Sequence, residues 1–148
     1  MARGNVLSIL VMTGAVAACS GGTPGAPPAT AAEPAAAAAA QTASDVGARI
    51  YGGNCVPCHQ QSGVGIPGVY PSLAGSPVVL GDPAELARWV MKGQRPPSMP
   101  AGRYTTQMMP FGWLKPADAA ALFSYLRSNF GNAAPPVDAA AVAQALRQ

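Results

Sequence analysis

The string Cys55-Val56-Pro57-Cys58-His59 constrains this chain more than any other feature. Two thiols three residues apart, followed at once by an imidazole, form the attachment signature of c-type haem. The spacing serves the chemistry. Each thiol adds across one haem vinyl group, and the adjoining histidine then reaches the iron with a ring nitrogen. Two other uses of such a pair are disfavoured by its surroundings. A thioredoxin-like C-x-x-C sits on a βαβ pattern, which is absent here, and a structural zinc site wants four ligands. With 1 histidine and 3 cysteines in the chain, a second Cys/His pair is missing. The candidate cofactor is one covalent haem c, attached through Cys55 and Cys58 and ligated by His59.

The third cysteine needs its own explanation, since an odd thiol in an exported protein is unusual. Met1–Asn5 carries one positive side chain, Arg3, and the apolar stretch Val6–Ala18 is too short to span a bilayer comfortably. Residues 1–18 therefore read as a secretory signal. Val16-Ala17-Ala18-Cys19 resembles the lipobox of bacterial lipoproteins. That resemblance implies cleavage before Cys19, a diacylglycerol on its sulfur, and, with Ser20 following, a lean towards the outer membrane. Ordinary cleavage after Ala15-Val16-Ala17 is the rival reading. Export agrees with the haem motif, because c-type haem is attached outside the cytoplasm. The expectation is a periplasm-facing chain, lipid-anchored to a bacterial membrane.

Residues 19–43 are almost wholly Gly, Ala, Pro, Ser and Thr, with Ala35–Ala40 unbroken. Such a stretch has nothing bulky to bury and reads as a tether. The domain proper is expected over 44–132. A first short helix is predicted from Ser44 to about Gly53, followed by an irregular Gly/Pro-rich stretch from Ser62 to Gly81. Asp82-Pro83-Ala84-Glu85 then starts a helix, with an Asp cap, proline at the first position and Glu85 placed for a capping box. Leu86, Trp89 and Val90 give its apolar stripe, and Gly93 ends it. After a second irregular stretch, Gln94–Lys115, Pro116 opens the clearest helix, striped by Ala119, Leu122, Phe123 and Leu126. Residues 133–148 form a tail with room for one small helix capped by Asp138. The class is all-α, three to five short helices, with long loops that need something to wrap around.

The domain resembles a class I monohaem cytochrome c. The resemblance implies that Gly47 and Tyr51, eight and four residues before Cys55, pack the two terminal helices together with Leu122 and Tyr125. It also implies that Pro71, in Pro71-Ser72-Leu73, accepts the proton on the second imidazole nitrogen and so orients His59. The runs Gly65–Pro71, Leu73–Ser76 and Tyr125–Asn132 are similar to the cytochrome subunits of periplasmic dehydrogenases. For the sixth iron ligand Met91, Met99, Met108 and Met109 are open to the residues alone. The family places the ligand about thirteen or fourteen residues before the leucine of the last helix and follows it with proline; Met108 and Met109 both fall in that range, and Pro110 implies Met109.

A chain so read moves single electrons and is not itself an enzyme. Its expected partners are redox proteins, a dehydrogenase or a terminal oxidase, and a membrane reached through the lipid anchor. One alternative is a dedicated electron-transfer subunit of a periplasmic dehydrogenase. Another, of a different class, is a haem enzyme or gas sensor with a labile Met109. A third is a structural lipoprotein whose haem is incidental. A formal charge of +3, with no basic run interleaved with aromatics, points away from nucleic acid. No paired carboxylates, serine triad or phosphate loop suggests a small-molecule substrate. Arg88, Lys92, Arg95 and Arg103 could form a docking patch or, through Arg95, meet a haem propionate. A solvated helix face explains them equally well. Trp89, Tyr104, Phe111 and Trp113 are expected in the haem pocket and core.

Overall fold

The structure, a computed structural model, describes residues 32–99 and 102–148. The expected signal segment, Cys19 and the start of the tether lie outside the described residues. Six helices follow one another: α1 (Ala32–Asn54), α2 (Val56–His59), α3 (Pro77–Leu80), α4 (Pro83–Lys92), α5 (Pro116–Ser128) and α6 (Ala139–Leu146). No strand occurs among the described residues. A single bridge, Ile66 to Tyr70, closes a tight loop.

The all-α class holds, with six helices, one above the expected three to five, and two of them not foreseen. The unforeseen ones, α2 and α3, are single turns of four residues, below the reach of any periodicity. Ser76 starts α3 inside the stretch expected to be irregular, its hydroxyl accepting from the Val79 N–H at 3.5 Å. The first helix also differs from expectation, beginning at Ala32 rather than near Ser44. Once the segment after Val46 is docked, the helix nucleus already exists. Each alanine upstream then adds a backbone bond at little entropic cost, and residues 38–45 stay helical though exposed.

Helix α4 is built from local signals. The Asp82 carboxylate accepts from the Ala84 N–H at 2.9 Å. Gly93 takes the left-handed conformation at φ 70°, and its N–H bonds the Trp89 carbonyl at 2.9 Å. The capping box does not form. Glu85 instead accepts from the Ser98 hydroxyl at 3.4 Å, tying the helix to the loop beyond it.

Helices α1 and α5 make the most extensive pairing in the structure. Gly47 allows it: a Cβ there would meet the Ala121 carbonyl and come within 2.7 Å of the Tyr125 Cβ. Beside that close approach Tyr51 stacks at 5.6 Å from Tyr125 and 5.0 Å from Phe130. The expected stripe of α5, Ala119, Leu122, Phe123 and Leu126, is buried throughout.

Helix α6 packs on α4 and α5. Asp138 caps it, its carboxylate accepting from the Ala140 N–H at 2.6 Å. The approach to α6 is fastened by Arg127, which is only 5% exposed. Its Nε donates to the Pro135 carbonyl at 2.8 Å, and one terminal nitrogen donates to the carbonyls of Val79 at 2.7 Å and Gly81 at 2.9 Å. Three charge-assisted bonds offset the desolvation of the guanidinium without a carboxylate among them. Nearby Asn132, also buried, donates to the Leu73 and Leu126 carbonyls and accepts from the Gly75 N–H.

Candidate haem site

The site starts where α1 ends. The Cys55 N–H bonds the Tyr51 carbonyl at 2.9 Å, and the His59 N–H bonds the Cys55 carbonyl at 2.8 Å. The turn between them, α2, carries both thiols and the imidazole on one short helical arc. Tyr51 closes the arc from beneath, its hydroxyl donating to the Gln60 carbonyl. That contact holds Gln60 at φ 63°, a left-handed conformation that favours glycine.

The loop after α2 returns to His59. Gly65, at φ 66°, sits so close to the chain ahead of it that a Cβ would lie 2.5 Å from the Pro71 carbonyl oxygen. The Gly65 N–H bonds the His59 carbonyl at 3.0 Å, and the loop closes between Ile66 and Tyr70. Pro71 thereby places its carbonyl 2.9 Å from His59 Nδ1. A carbonyl can only accept, so the proton sits on Nδ1 and Nε2 keeps its lone pair for a metal. Burial lowers the His59 pKa, against an opposing pull from the Pro71 hydrogen bond, so the ring is held neutral. Burial, with Cys58 adding, pushes the Cys55 thiol up to about 11.

Two adjoining cavities open beside these groups. The first, counted out to its mouth, encloses about 830 Å³. Val78 and Val79 of α3, Leu86, Trp89 and Val90 of α4, and Leu122 and Leu126 of α5 line it, with Cys55, His59 and Leu73. The second, about 720 Å³, shares Cys55, His59, Pro71 and Met108 with the first and adds Cys58, Tyr70, Met109 and Phe111. Both are lined mostly by apolar side chains, which suits a flat apolar cofactor. Two thiols, a neutral imidazole with a free nitrogen, thioethers and aliphatic walls are a donor set that fits haem. Among the described residues no three of His, Cys, Asp and Glu gather closely enough to hold a bare metal ion.

The four methionines fall in different places. Met91 is buried in the core and lines neither cavity. Met99 is half-buried and lines the first cavity. Met108, half-buried, lines both, while Met109 lines the second and is 68% exposed. Of the four aromatics expected in pocket or core, Trp89, Tyr104 and Phe111 line a cavity. Trp113 does not. It is 66% exposed and meets the Phe111 ring edge-on, at 6.3 Å between centroids, while the neighbouring Leu114 is buried.

A family model for cytochrome c matches residues 44–130. The chain belongs to the cytochrome c family. Its cofactor is the covalent haem c of that family, and its helical fold is the family's fold. It is 34% identical over 92 residues to cytochrome c-552 of Thermus thermophilus, covering 59% of this chain and 70% of that one. It is also 34% identical over 105 residues to the cytochrome c subunit of the quinone alcohol dehydrogenase of Gluconobacter oxydans, covering 70% of this chain and 22% of that subunit. The gluconate 2-dehydrogenase cytochrome c subunit of Pantoea cypripedii is 30% identical over 94 residues, 62% of this chain and 21% of the subunit. The chain thus spans only about a fifth of the length of those dehydrogenase subunits.

Sequence reasoning missed the burial of Arg127 and Asn132, which tie the segment from Leu73 to Gly81 to the end of α5 and the chain after it. Arg127 continues the i, i+4 spacing of Ala119 and Phe123, but an arginine in the last turn of a helix reads as a solvated end, and Asn132 lies beyond the helix.

Proposed function

We propose that this cytochrome c carries single electrons, with one haem attached through Cys55 and Cys58 and ligated by His59 and Met109. The observation that carries this reading is His59. Its Nδ1 proton is committed to Pro71, so its one free nitrogen faces a cavity edged by both thiols. The bound haem supplies a one-electron ferric/ferrous couple. The protein supplies the apolar walls that keep water away and the Pro71 carbonyl that fixes the imidazole ring. A methionine thioether is a soft ligand that favours the ferrous state and raises the potential. If His59 and Met109 both held the iron, the chain would leave no position open for substrate or oxygen, which speaks against the gas-sensor and haem-enzyme alternative.

Met109 is preferred over Met108 and Met99 for its spacing before Leu122 and its following Pro110. In Met109→Ala the red charge-transfer band of methionine-ligated ferric haem is expected to vanish, while Met108→Leu keeps it. The opposite pattern would move the ligand to Met108. Retention in both would move it to Met99.

Similarity to two dehydrogenase cytochrome subunits supports a narrower reading, in which a periplasmic dehydrogenase donates the electrons. The lipobox at Cys19 and the tether over 19–43 support anchoring to a membrane, the outer membrane favoured by Ser20. No helix among the described residues is long and apolar enough to cross a membrane. Purification in mild detergent, asking which enzyme accompanies the chain and which substrate reduces its haem, tests the partner. Cys19→Ala tests the anchor: release of the holoprotein into the soluble periplasm is expected.

A further inference from the structure

Among the described residues only two other than glycine stand at positive φ, Gln60 at 63° and Phe130 at 60°. A Cβ makes that left-handed conformation costly, so surrounding contacts must hold each of them there. Gln60 ends the haem turn and Phe130 follows α5, far apart in the chain, yet both meet Tyr51. Its hydroxyl donates to the Gln60 carbonyl, and its ring centroid lies 5.0 Å from that of Phe130. They also meet at Gly63. The Gly63 N–H bonds the Gln60 carbonyl at 3.1 Å, and the Phe130 ring stands so near that a Cβ on Gly63 would lie 2.5 Å from its Cγ.

Gly63 is the foot of the loop that returns to His59. Its carbonyl accepts from the Leu73 N–H at 2.7 Å and from the Ser72 hydroxyl at 3.5 Å. Those two residues directly follow Pro71, whose carbonyl lies 2.9 Å from His59 Nδ1. The Phe130 ring thus backs one end of a short hydrogen-bonded span whose other end orients the imidazole. Tyr125 meets that ring edge-on at 5.8 Å and braces it from α5. Neither Phe130 nor Gly63 lines either cavity, so an effect of the ring on the iron passes through the loop.

We infer that Phe130 is a positioning residue for the axial imidazole: its ring packs on Gly63 and so seats the loop that carries the Pro71 carbonyl onto His59 Nδ1. The inference rests on the haem reading above. It also accounts for the strained backbone at Phe130. A glycine would take φ 60° at lower cost, but it brings no ring to back the loop. The Pro71 bond makes the imidazole a stronger donor, and a stronger donor favours ferric iron. Loosening that bond therefore raises the midpoint potential, whereas water reaching the haem would lower it.

The test compares wild type, Phe130→Gly, Phe130→Leu and Phe130→Tyr as haem-loaded proteins. The glycine variant removes the ring and relieves the backbone, the leucine variant keeps apolar bulk without a ring, and the tyrosine variant keeps the ring. Phe130→Gly and Phe130→Leu are expected to raise the midpoint potential in spectroelectrochemistry. Exchange of the Leu73 and Gly65 N–H groups should quicken by about tenfold, the factor one aromatic pair is worth. In proton spectra of the diamagnetic ferrous protein, the His59 Nδ1–H should exchange faster with water. Phe130→Tyr should keep the wild-type value of all three. If Phe130 only ends α5, Phe130→Gly will match the wild-type potential and exchange rates whatever its melting temperature, and the inference is overturned. A fall in potential overturns it too, since that marks a ring that shields haem from water. Should Phe130→Gly take up no haem, Phe130→Leu decides by the same readouts. A wild-type chain without covalent haem would overturn the functional reading itself, which the pyridine haemochrome assay reads separately.

Discussion

Tyr51 is 1% exposed where α1 meets α5, whereas Met109 and Trp113 are 68% and 66% exposed on the segment between α4 and α5. The first region holds itself together. Its helices touch through Gly47, its rings interlock, and its backbone groups are bonded within the helices. The second region, 94–115, has no helix among its described residues and is pinned to the rest at points such as Phe111 N–H to the Val90 carbonyl and Thr105 N–H to the Gly68 carbonyl. Its half-buried residues Met99, Tyr104, Met108 and Phe111 line the cavities, and of its hydrophobic side chains Leu114 is the one fully buried in the core among the described residues. One side of the site is therefore specified by protein against protein, the other by protein against cofactor.

Withholding the haem should widen this contrast most. In the Cys55→Ala/Cys58→Ala chain no haemochrome is expected, and the melting temperature should fall further than for any single substitution below. Amides of 94–115 should lose hydrogen-exchange protection while those of α1 after Val46 and of α5 keep the most. Persistent protection of 94–115 in that chain would break the comparison.

Gly47→Ala attacks the self-sufficient side. The added Cβ meets backbone at Ala121, which cannot swing aside, so a loss of about 1–3 kcal/mol is expected in denaturant titrations of the holoprotein. The methionine charge-transfer band should survive in the folded fraction.

Tyr51→Phe acts on the same side but reaches the haem turn. It leaves the Gln60 carbonyl without its donor, with an expected loss of about 1–3 kcal/mol. It also sharpens the alkaline limit. Burial, with Cys55 and Tyr125 adding, raises the Tyr51 pKa from 10.0 to about 12. The folded state thus holds this proton more tightly than the unfolded chain. The associated stability is complete below about pH 10 and is lost as pH rises towards about 12. Titration of the unfolding free energy should show that decline in wild type and a shallower one in Tyr51→Phe.

The smallest effect is expected from Trp113→Ala. An exposed ring with one edge contact should change stability by no more than about 0.5 kcal/mol. A larger loss would show that the loop is packed by protein after all.

What the sequence made legible follows the same division. Asp82, Pro83 and Gly93 announce α4 because caps act within one turn of the chain, and the burial of Leu122 and Phe123 follows from period alone. The haem turn was legible because its chemistry demands fixed spacing. Trp113 was misplaced because a loop residue has no period from which its direction can be read. The start of α1 was misplaced because alanine neither seeks a core nor resists a helix, so a neighbour decides. Arg127 was invisible for another reason: its partners at Val79, Gly81 and Pro135 are distant in sequence, and only the closed fold assembles them.

That last arrangement bears on the order of assembly. All of α5 and α6 lies after Cys55 and Cys58, yet Leu122 and Leu126 form a wall of the first cavity. That wall is fastened only when the chain is present as far as Pro135, whose carbonyl accepts from Arg127 together with those of Val79 and Gly81.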